Sequence, residues 1–486
     1  MNEFVGKLND VLWSTPVIAA LIIVGTLFTL ATKFVQVRYL KEMVVLMFRG
    51  KSSKVGVSSF QALSVALAGR VGTGNIAGVA TAIFYGGPGA VFWMWLIAFI
   101  GASSAFVEST LAQIYKRKQD GQYRGGPAYY IEKGTKQKWF AVLFALTAIL
   151  STAFLLPGVQ ANAIADGMKN AFGIEKTWIT GVTIVLLLGF IIFGGIKRIA
   201  HVATVIVPFM ALGYIVVAVI ISIINIAELP DVIALIFRSA FGADAVFGGL
   251  LGSAIMWGVK RGLYSNEAGQ GTGPHPAAAA EVSHPVKQGL VQAFSVYIDT
   301  LLVCSATAFM ILCTGMYNTV DTDEVTPIVT NIANVEVGPG YTQAAVDSVF
   351  PGFGAGFVAI ALFFFAFTTI MAYYYIAETN IAYLTKEKGS TIAMFILKIM
   401  LLSATMYGTI NESAVAWALG DAGLGLMIWL NIVAIVWLAK PALVALKDYD
   451  AQKKQGLDPV FEPKKLGIEN ADFWENEYKR DEKDVS

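Results

Sequence analysis

The chain has 486 residues, of which 56% are hydrophobic and only 14% are charged. Soluble globular proteins carry about 25% charged residues, so this chain has too little charge to cover a water-exposed surface. Together with a net charge of +1, this composition excludes an ordinary cytosolic enzyme, a disordered chain and a nucleic-acid binder, and it indicates one multi-span membrane domain.

Eleven apolar segments are predicted to span the membrane, because a helical span needs about 20 mostly apolar residues. They are 14–35, 58–84, 88–115, 139–161, 176–195, 199–225, 246–264, 286–314, 352–385, 390–410 and 413–440. After Pro441 the chain turns polar and contains no further apolar run. We therefore predict an all-α integral membrane protein with a polar, soluble tail over 441–486.

The distribution of basic residues predicts the orientation of these spans. Segments 33–57, which include Lys51 and Lys54, and 116–138 are rich in Lys and Arg, whereas loop 315–351 carries five acidic residues and no basic one. Basic loops stay in the cytoplasm, so the N-terminus is predicted outside and the C-terminal tail inside. The chain is thus predicted to be a multi-pass protein of the cell membrane.

Two stretches of the sequence match each other at a constant offset of 191 residues. The matching polar residues are Arg70 with Arg261, Asn75 with Asn266, and Glu108 with Asp299. Five predicted spans separate the copies, so the copies cross the membrane in opposite directions, as in the inverted repeats of secondary transporters. The predicted organisation is an additional N-terminal span and basic segment over 1–57, a first five-span repeat over 58–225, a second over 226–440, and the tail.

The second predicted span is interrupted at its midpoint by Gly69, Gly72 and Gly74, which surround a charge and an amide. Glycine costs about 1 kcal/mol in a helix interior relative to alanine. This pattern favours an unwound segment, since non-helical backbone at membrane depth is tolerated where it lines a cavity or is buried in protein. The alternative is close helix packing on small residues.

An unwound segment at this place has polar backbone groups to offer. Free N–H groups of Thr73 and Gly74 suit an anion such as a carboxylate, and a free carbonyl near Val71 suits a cation. Gly72–Ala77 also fits the dinucleotide pattern G-x-G-x-x-A, but that pattern needs a preceding strand, and its neighbours here are membrane spans. We therefore predict no nucleotide.

Charged residues inside predicted spans are rare and usually functional. By the repeat, Arg70 with Glu108 and Arg261 with Asp299 are equivalent pairs, which predicts two ion pairs acting as inner and outer gates. The alternative is permanent structural pairing. Glu267 also stands out as an intramembrane acid.

Two further pairs of polar side chains stand out. Thr368 and Thr369 are adjacent within an aromatic run of the ninth span, and they indicate either a sodium site or hydroxyls bonded to their own helix. Gln160 and Asn162 follow Pro157 in the fourth span, and they belong either to a pocket or to the solvated outer end of that span.

Two motifs resemble a known family. Gly86–Gly101 matches the signature of the alanine or glycine:cation symporter family at every position, and Ser265–Gly271 resembles that family's second motif. The likeness extends from the first span to the last. It implies sodium-coupled uptake of small neutral amino acids, chiefly alanine and glycine, with Na⁺ as the coupling ion. It also implies the inverted-repeat fold of the neurotransmitter:sodium symporters, with five plus five spans and here one additional N-terminal span.

The resemblance also implies where substrate and ion bind. In neurotransmitter:sodium symporters, backbone N–H groups of the unwound first core helix bind the substrate carboxylate, and these groups correspond here to Thr73 and Gly74. Sodium binds a carbonyl of that helix, which corresponds to Val71, and adjacent hydroxyls of the eighth core helix, which correspond to Thr368 and Thr369.

We therefore predict a transporter rather than an enzyme, with alanine or glycine, sodium and membrane lipid as partners and no nucleic acid. The remaining residues predicted to surround the substrate are Asn75, Gln160, Gly262, Tyr264, Asn266 and Phe365. The alternatives are a proton-coupled carrier in which Glu108 or Asp299 titrates, a membrane-embedded enzyme, and a passive channel.

Overall fold

The structure is a computed structural model that describes residues 2–50, 52–53, 55–385 and 390–478. The predictions that involve Lys51, Lys54 and the last part of the tail, 479–486, lie outside these residues. The described chain is mostly helical, with two short antiparallel hairpins. This architecture confirms the all-α prediction.

The described residues of the first half form twelve α-helices. They are α1 (Asn2–Leu12), α2 (Thr15–Ala31), α3 (Val35–Arg38), α4 (Leu40–Phe48), α5 (Ser59–Arg70), α6 (Val79–Gly86), α7 (Ala90–Ile114), α8 (Pro127–Thr135), α9 (Lys138–Leu150), α10 (Leu156–Phe172), α11 (Thr177–Ile192) and α12 (Gly195–Ile224).

The described second half adds ten α-helices. They are α13 (Leu229–Ala240), α14 (Leu251–Asn266), α15 (Pro274–Ala279), α16 (Pro285–Val296), α17 (Ser305–Thr314), α18 (Pro339–Val349), α19 (Gly354–Thr385), α20 (Ser390–Ile410), α21 (Ser413–Trp437) and α22 (Ala439–Lys454).

Short irregular elements connect these helices. Wider π-helical turns cover Gly74–Gly78, Ser151–Leu155, Tyr297–Cys304 and Phe473–Glu477, and 3₁₀ turns cover Gly248–Leu250 and Pro463–Leu466. The hairpins are β1 (Arg117–Gln119) with β2 (Gln122–Arg124), and β3 (Asn318–Val320) with β4 (Pro327–Thr330). β1 pairs with β2 in register from Arg117 opposite Arg124, whereas β3 and β4 shift register between Thr319 and Val320.

Eight helical segments of the described chain are long and apolar enough to cross a membrane. They are Glu3–Ala31, Ala90–Ile114, Lys138–Phe172, Ile196–Ile224, Pro285–Thr314, Gly354–Thr385, Thr391–Ile410 and Ser413–Trp437. The other three predicted spans fall on the shorter helices α11 and α14 and on the divided pair α5 and α6. The chain is therefore a multi-pass membrane protein, while the count of eleven spans stays a prediction.

Large apolar side chains cover the outside of α11 and α12. Leu186, Phe190 and Phe209 are 68%, 76% and 80% exposed in the isolated chain. Water would disfavour such a surface by roughly 25 cal/mol per Å² of apolar area, whereas lipid tails accept it. The outside of these helices is therefore suited to contact lipid.

The first predicted helix break is present. α5 begins at a capping box, in which Ser58 and Gln61 exchange side-chain-to-backbone hydrogen bonds, and it ends at Arg70. Val71 then leaves the helical conformation with φ −76° and ψ 88°, and the chain resumes helically at Gly74. The glycine-rich midpoint of the second predicted span is thus an interruption between two half-helices.

A second break follows α14. Glu267 has a φ of +54°, which non-glycine residues rarely adopt, and Gly269 and Gly271 are also left-handed, with φ of +77° and +89°. At the offset of 191 residues, Glu267 corresponds to Ile76, which lies five residues beyond Val71. The two copies therefore break at different points of the repeat, and the inverted symmetry itself stays a prediction.

The described part of the tail folds back onto the helical bundle. The backbone N–H of Phe461 donates to the carbonyl of Ser283 at 3.0 Å, and the indole N–H of Trp474 donates to the carbonyl of Gln113 at 2.8 Å. Phe461, Phe473 and Trp474 are all buried. Scattered aromatic side chains, rather than an apolar run, thus anchor this segment, and its assignment as a cytoplasmic tail stays a prediction.

Candidate substrate and cation site

The unwound segment after α5 forms a tight, fully buried turn. The backbone N–H of Gly72 donates to Oδ1 of Asn75 at 2.7 Å, and the N–H of Asn75 donates to the carbonyl of Gly72 at 3.2 Å. These two bonds occupy backbone groups that the interrupted helix leaves without an i,i+4 partner. Asn75 is therefore a structural element of the break as well as a predicted pocket residue.

Gln160 of α10 points its side-chain carbonyl at this turn. Its Oε1 accepts a hydrogen bond from the backbone N–H of Thr73 at 3.0 Å, and the side chain is 1% exposed. Oγ1 of Thr73 is buried without a hydrogen-bond partner among the described residues. A buried hydroxyl without a partner is costly, so the Thr73 hydroxyl is a polar group that a bound ligand could satisfy.

The close approach at Gly74 explains the second glycine of the turn. A Cβ on Gly74 would lie 3.0 Å from Cα of Ser265 on α14. A Cβ on Gly72 would likewise meet Oε1 of Gln160 at 3.0 Å and would clash with the hydroxyl of Thr369. Glycine at both positions thus lets the unwound backbone touch three neighbouring elements, which places the predicted substrate and cation residues next to each other.

The hydroxyl pair of α19 lies against the end of α5. Oγ1 of Thr369 donates to the carbonyl of Ala68 at 2.9 Å and also lies 3.0 Å from the carbonyl of Phe365 on its own helix. Oγ1 of Thr368 reaches its own helix alone, at the carbonyls of Phe364 and Phe365. Back-bonding to α19 is thus seen for both hydroxyls, one of which also bridges to the broken helix, while the sodium site stays a prediction.

This junction collects oxygen atoms rather than metal-binding side chains. Among the described residues, no group of three or more His, Cys, Asp and Glu side chains is placed to hold a metal ion. Of the groups predicted to hold a cation, the hydroxyl of Thr369 contacts the end of α5, and Val71 directly follows that helix, while a cation site formed by Val71, Thr368 and Thr369 stays a prediction. Neutral oxygen donors of this kind suit a hard cation.

The two predicted ion pairs are not formed among the described residues, and the arginines have other partners. Arg261 makes a bidentate contact with Asp421 of α21, at 2.8 and 3.1 Å, and Lys260 joins the same carboxylate at 2.7 Å. Arg70 donates to the carbonyl of Gln292 at 3.1 Å and to the hydroxyl of Ser295. The prediction of Arg70–Glu108 and Arg261–Asp299 pairs is therefore wrong for this structure.

The acids of those expected pairs instead hold the helix breaks. Asp299 accepts from Nδ2 of Asn75 at 2.6 Å and from the hydroxyl of Ser265 at 3.0 Å. Glu108 accepts from the backbone N–H groups of Gly269 and Gly271, at 3.2 and 3.1 Å, and from Asn431 at 2.7 Å. Interrupted helices supply N–H donors that a buried carboxylate needs, which explains why these acids turn away from the arginines.

The remaining predicted residues are spread around the turn. Tyr264 is buried against Trp417, with ring centroids 5.0 Å apart, and Phe365 is buried against Tyr214 at 5.3 Å. Asn266 accepts from the N–H of Ala268 at 3.0 Å, and its Nδ2 has no hydrogen-bond partner among the described atoms.

Gly262 differs from the other predicted substrate residues. A Cβ on Gly262 would meet Ile97 and Met94 of α7, so its missing side chain allows α14 and α7 to pack closely. Asn162 also turns away, because its amide donates to the carbonyls of Gly408 and Asn411 near the end of α20. The structure thus brings the unwound turn, Gln160 and Thr369 together, and it places Gly262 and Asn162 at helix contacts.

Sequence reasoning missed two polar side chains. Asp421 is a lone carboxylate inside the predicted span 413–440, and the rule that singled out the other intramembrane charges applies to it equally. Ser265 lies within the second family-like motif, but no spacing rule signals that its hydroxyl would reach Asp299.

Comparison with known proteins matches residues 1–463 to the sodium:alanine symporter family model. The carrier protein YrbD of Bacillus subtilis (strain 168), provisionally named as sodium/proton-dependent for alanine, is 72% identical over the whole length of both chains. The sodium/proton-dependent alanine carrier protein of Bacillus sp. (strain PS3) is 59% identical over 90% of this chain and 98% of its own. The sodium/alanine symporter AgcS of Methanococcus maripaludis is 35% identical over 93% of this chain and 98% of its own.

Proposed function

The chain belongs to the sodium:alanine symporter family, and on that premise we propose that it couples inward sodium flow to the uptake of alanine. Glycine, the next smaller neutral amino acid, is the second proposed substrate. The protein acts by alternating access, so the site after α5 opens to one side of the membrane at a time. Membrane lipid surrounds the bundle, and neither nucleotide nor nucleic acid takes part.

One observation supports this proposal: the same stretch of backbone contacts the polar side chains of both Gln160 and Thr369. The N–H of Thr73 faces the carbonyl of Gln160, while Thr369 bridges to the carbonyl of Ala68 five residues earlier in the chain. In the substrate-bound protein, the carboxylate of alanine takes the N–H groups of Thr73 and Gly74. Sodium takes the oxygens of Val71, Thr368 and Thr369. Because opposite charges attract across so short a distance, binding of either ligand strengthens binding of the other.

The size of the substrate follows from the walls of the site. Tyr264 and Phe365 are fully buried, and Gln160 already fills the space beside Gly72. A larger side chain would strain so closely packed a region, and overpacking of this kind costs about 1–3 kcal/mol. The substrate ammonium group binds amide or carbonyl oxygens, among which Oε1 of Gln160 is near.

We further propose the organisation that the sequence predicts. The repeats 58–225 and 226–440 form the core with inverted topology, the N-terminus lies outside, and the tail lies in the cytoplasm. The segments rich in Lys and Arg support this orientation, because basic loops are retained on the cytoplasmic side.

Uptake into proteoliposomes tests the function. Vesicles that contain the purified protein should concentrate labelled alanine when sodium is higher outside. Replacing sodium by potassium at equal ionic strength is the control, and equal uptake in the two salts would contradict sodium coupling. Labelled leucine serves as the size control, and it should not be concentrated.

Proton-coupled uptake is the second candidate. The observation that favours it is the presence of buried carboxylates near the site, together with two relatives whose names include proton dependence. A membrane-embedded enzyme is disfavoured, since the family is one of transporters.

A further inference from the structure

Glu267 is the intramembrane acid to which neither the sequence nor the proposed binding site gives a role. It follows the last residue of α14, holds a left-handed backbone with a φ of +54°, and is 2% exposed. Its Oε2 accepts from the hydroxyl of Thr272 at 2.8 Å, but its Oε1 is buried with no hydrogen-bond partner among the described residues. An ionised carboxylate with one orphan oxygen is costly to bury, whereas a protonated one needs fewer donors.

A small cavity adjoins this carboxylate. Residues of α5, α15 and α19 line it, and its polar walls come from Glu267, Thr272 and Tyr375. Most of the lining is apolar, so the cavity offers no shell of several oxygen atoms of the kind that a hard metal cation requires. A proton, in contrast, needs only the one free carboxylate oxygen.

The charged groups around Glu267 also favour a proton on this carboxylate. Arg70 of α5 lies near three buried carboxyl groups, those of Glu267, Glu108 and Asp299. One guanidinium group is therefore shared among three acids. The titratable groups that also face this region are Tyr373 and Tyr375 of α19 and His275 of α15.

Among the three carboxylates, Glu267 accepts hydrogen bonds from the fewest groups. Glu108 receives two backbone N–H groups and the Asn431 amide, and Asp299 receives donors from Asn75, Ser265 and Thr300. Hydrogen bonds to the charged form of a carboxylate stabilise that form, and Glu267 receives fewer of them than Glu108 or Asp299.

We propose that Glu267 is a proton-binding site, loaded and unloaded through the adjoining cavity, which lets a proton accompany alanine through the transporter. This inference rests on the proposed function, because the proton is carried by the same alternation that moves alanine. It replaces Glu108 and Asp299 as the titrating groups of the proton-coupled alternative. Since Oε2 of Glu267 lies 3.2 Å from the position of a Cβ on Gly69, its charge state acts directly on the contact between the two broken helices.

The test uses the full chain in proteoliposomes that have equal sodium on both sides and contain a pH-sensitive dye. External alanine should acidify the interior of wild-type vesicles. Glu267→Gln keeps the shape of the side chain but cannot bind the proton, so it should lose this acidification while sodium-driven alanine uptake is retained. Glu324→Gln in the exposed outer loop is the control and should behave as wild type.

Two further measurements keep the outcome decisive. Glu267→Asp retains a carboxylate and should retain acidification. With detergent-purified protein in weak buffer, alanine addition should change the bound protons of the wild type and leave those of Glu267→Gln unchanged, which requires binding but no turnover. Alanine-dependent acidification by Glu267→Gln at the wild-type rate would overturn the proton site. Absence of sodium-driven uptake by the wild type would instead overturn the proposed function.

Discussion

Glu108 and Asp299 are separated by 191 residues, and each holds the helix break in the other half of the chain. Asp299 binds Asn75 in the turn after α5, and Glu108 binds the backbone of Gly269 and Gly271 in the turn after α14. A reciprocal arrangement of this kind ties the two unwound segments to opposite halves of the bundle. Any movement of one half relative to the other must therefore move a break, which is what alternating access requires.

The contact between Asn75 and Asp299 should be energetically coupled. Because the pair is buried, we expect a double-mutant cycle of Asn75→Ala and Asp299→Ala to give an interaction energy of about 1–3 kcal/mol in thermal unfolding. Asn162→Ala is the matched control, since that amide bonds to α20 instead. Strict additivity of Asn75→Ala and Asp299→Ala would show that the hydrogen bond contributes nothing.

Thr369 should determine the sodium requirement. Thr369→Val removes the hydroxyl that bridges to Ala68 while keeping the volume, and we expect the sodium concentration for half-maximal uptake to rise by roughly tenfold, which corresponds to about 1.4 kcal/mol. Thr379→Val on the same helix is the control, because its hydroxyl bonds to the Tyr375 carbonyl of its own helix. An unchanged sodium requirement in Thr369→Val would remove this residue from the cation site.

Gln160 should act on alanine rather than on sodium. Gln160→Leu removes the side-chain oxygen proposed to accept from the substrate ammonium group, and we expect the alanine concentration for half-maximal uptake to rise by about three- to tenfold, as for the loss of one hydrogen bond. Sodium dependence, measured at saturating alanine, should change less. If Asn162→Leu raised the alanine requirement as much as Gln160→Leu, the effect would come from packing of α10 and not from the pocket.

Asp421 should stabilise the fold through its two basic partners. Asp421→Asn leaves Arg261 and Lys260 buried without a carboxylate, so we expect a loss of about 3–5 kcal/mol in stability, visible as a lower unfolding temperature in detergent. In a double-mutant cycle, Arg261→Gln should couple to Asp421→Asn and be additive with Asp299→Asn. Coupling of Arg261 to Asp299 would contradict this prediction and would support the ion pair that the sequence repeat predicts.

The packed tail should contribute to stability. The ammonium group of Lys116 lies 4.7 Å from the ring of Phe473 and 5.2 Å from that of Trp474, and the Trp474 indole bonds to Gln113. Trp474→Ala should lower the unfolding temperature by an amount equivalent to about 3–5 kcal/mol, the usual cost of removing a buried large aromatic side chain. Trp429→Ala is the comparison on an exposed ring and should have a smaller effect.

Much of the architecture could be predicted because apolar length and glycine content act locally. The break at Val71 follows from Gly69, Gly72 and Gly74, because glycine already weakens a helix at these positions and an interruption there costs little more. The partners of buried charges were not predictable in this way. The repeat placed Arg261 opposite Asp299, but the choice between Asp299 and Asp421 depends on how α21 packs against α14, which no local pattern records.

The site shows the same limit. Gln160 and Thr369 were identified by residue type within apolar spans, and both lie at the turn. Gly262 was placed in the pocket by its position in a polar motif, yet the face that lacks a side chain packs on α7. The neighbouring helices decide which side of a helix faces a pocket. Near a break the helical periodicity is lost, so the sequence gives no means of predicting which side that is.

Driving sodium uptake with an alanine gradient tests the central claim of sodium–alanine coupling most directly. If the two fluxes are coupled, an inward alanine gradient imposed on proteoliposomes with equal sodium on both sides must accumulate radioactive sodium inside, because thermodynamic coupling acts in both directions. We predict transient sodium accumulation that requires alanine and disappears in Thr369→Val at low sodium. Alanine entry without any sodium movement would contradict the account.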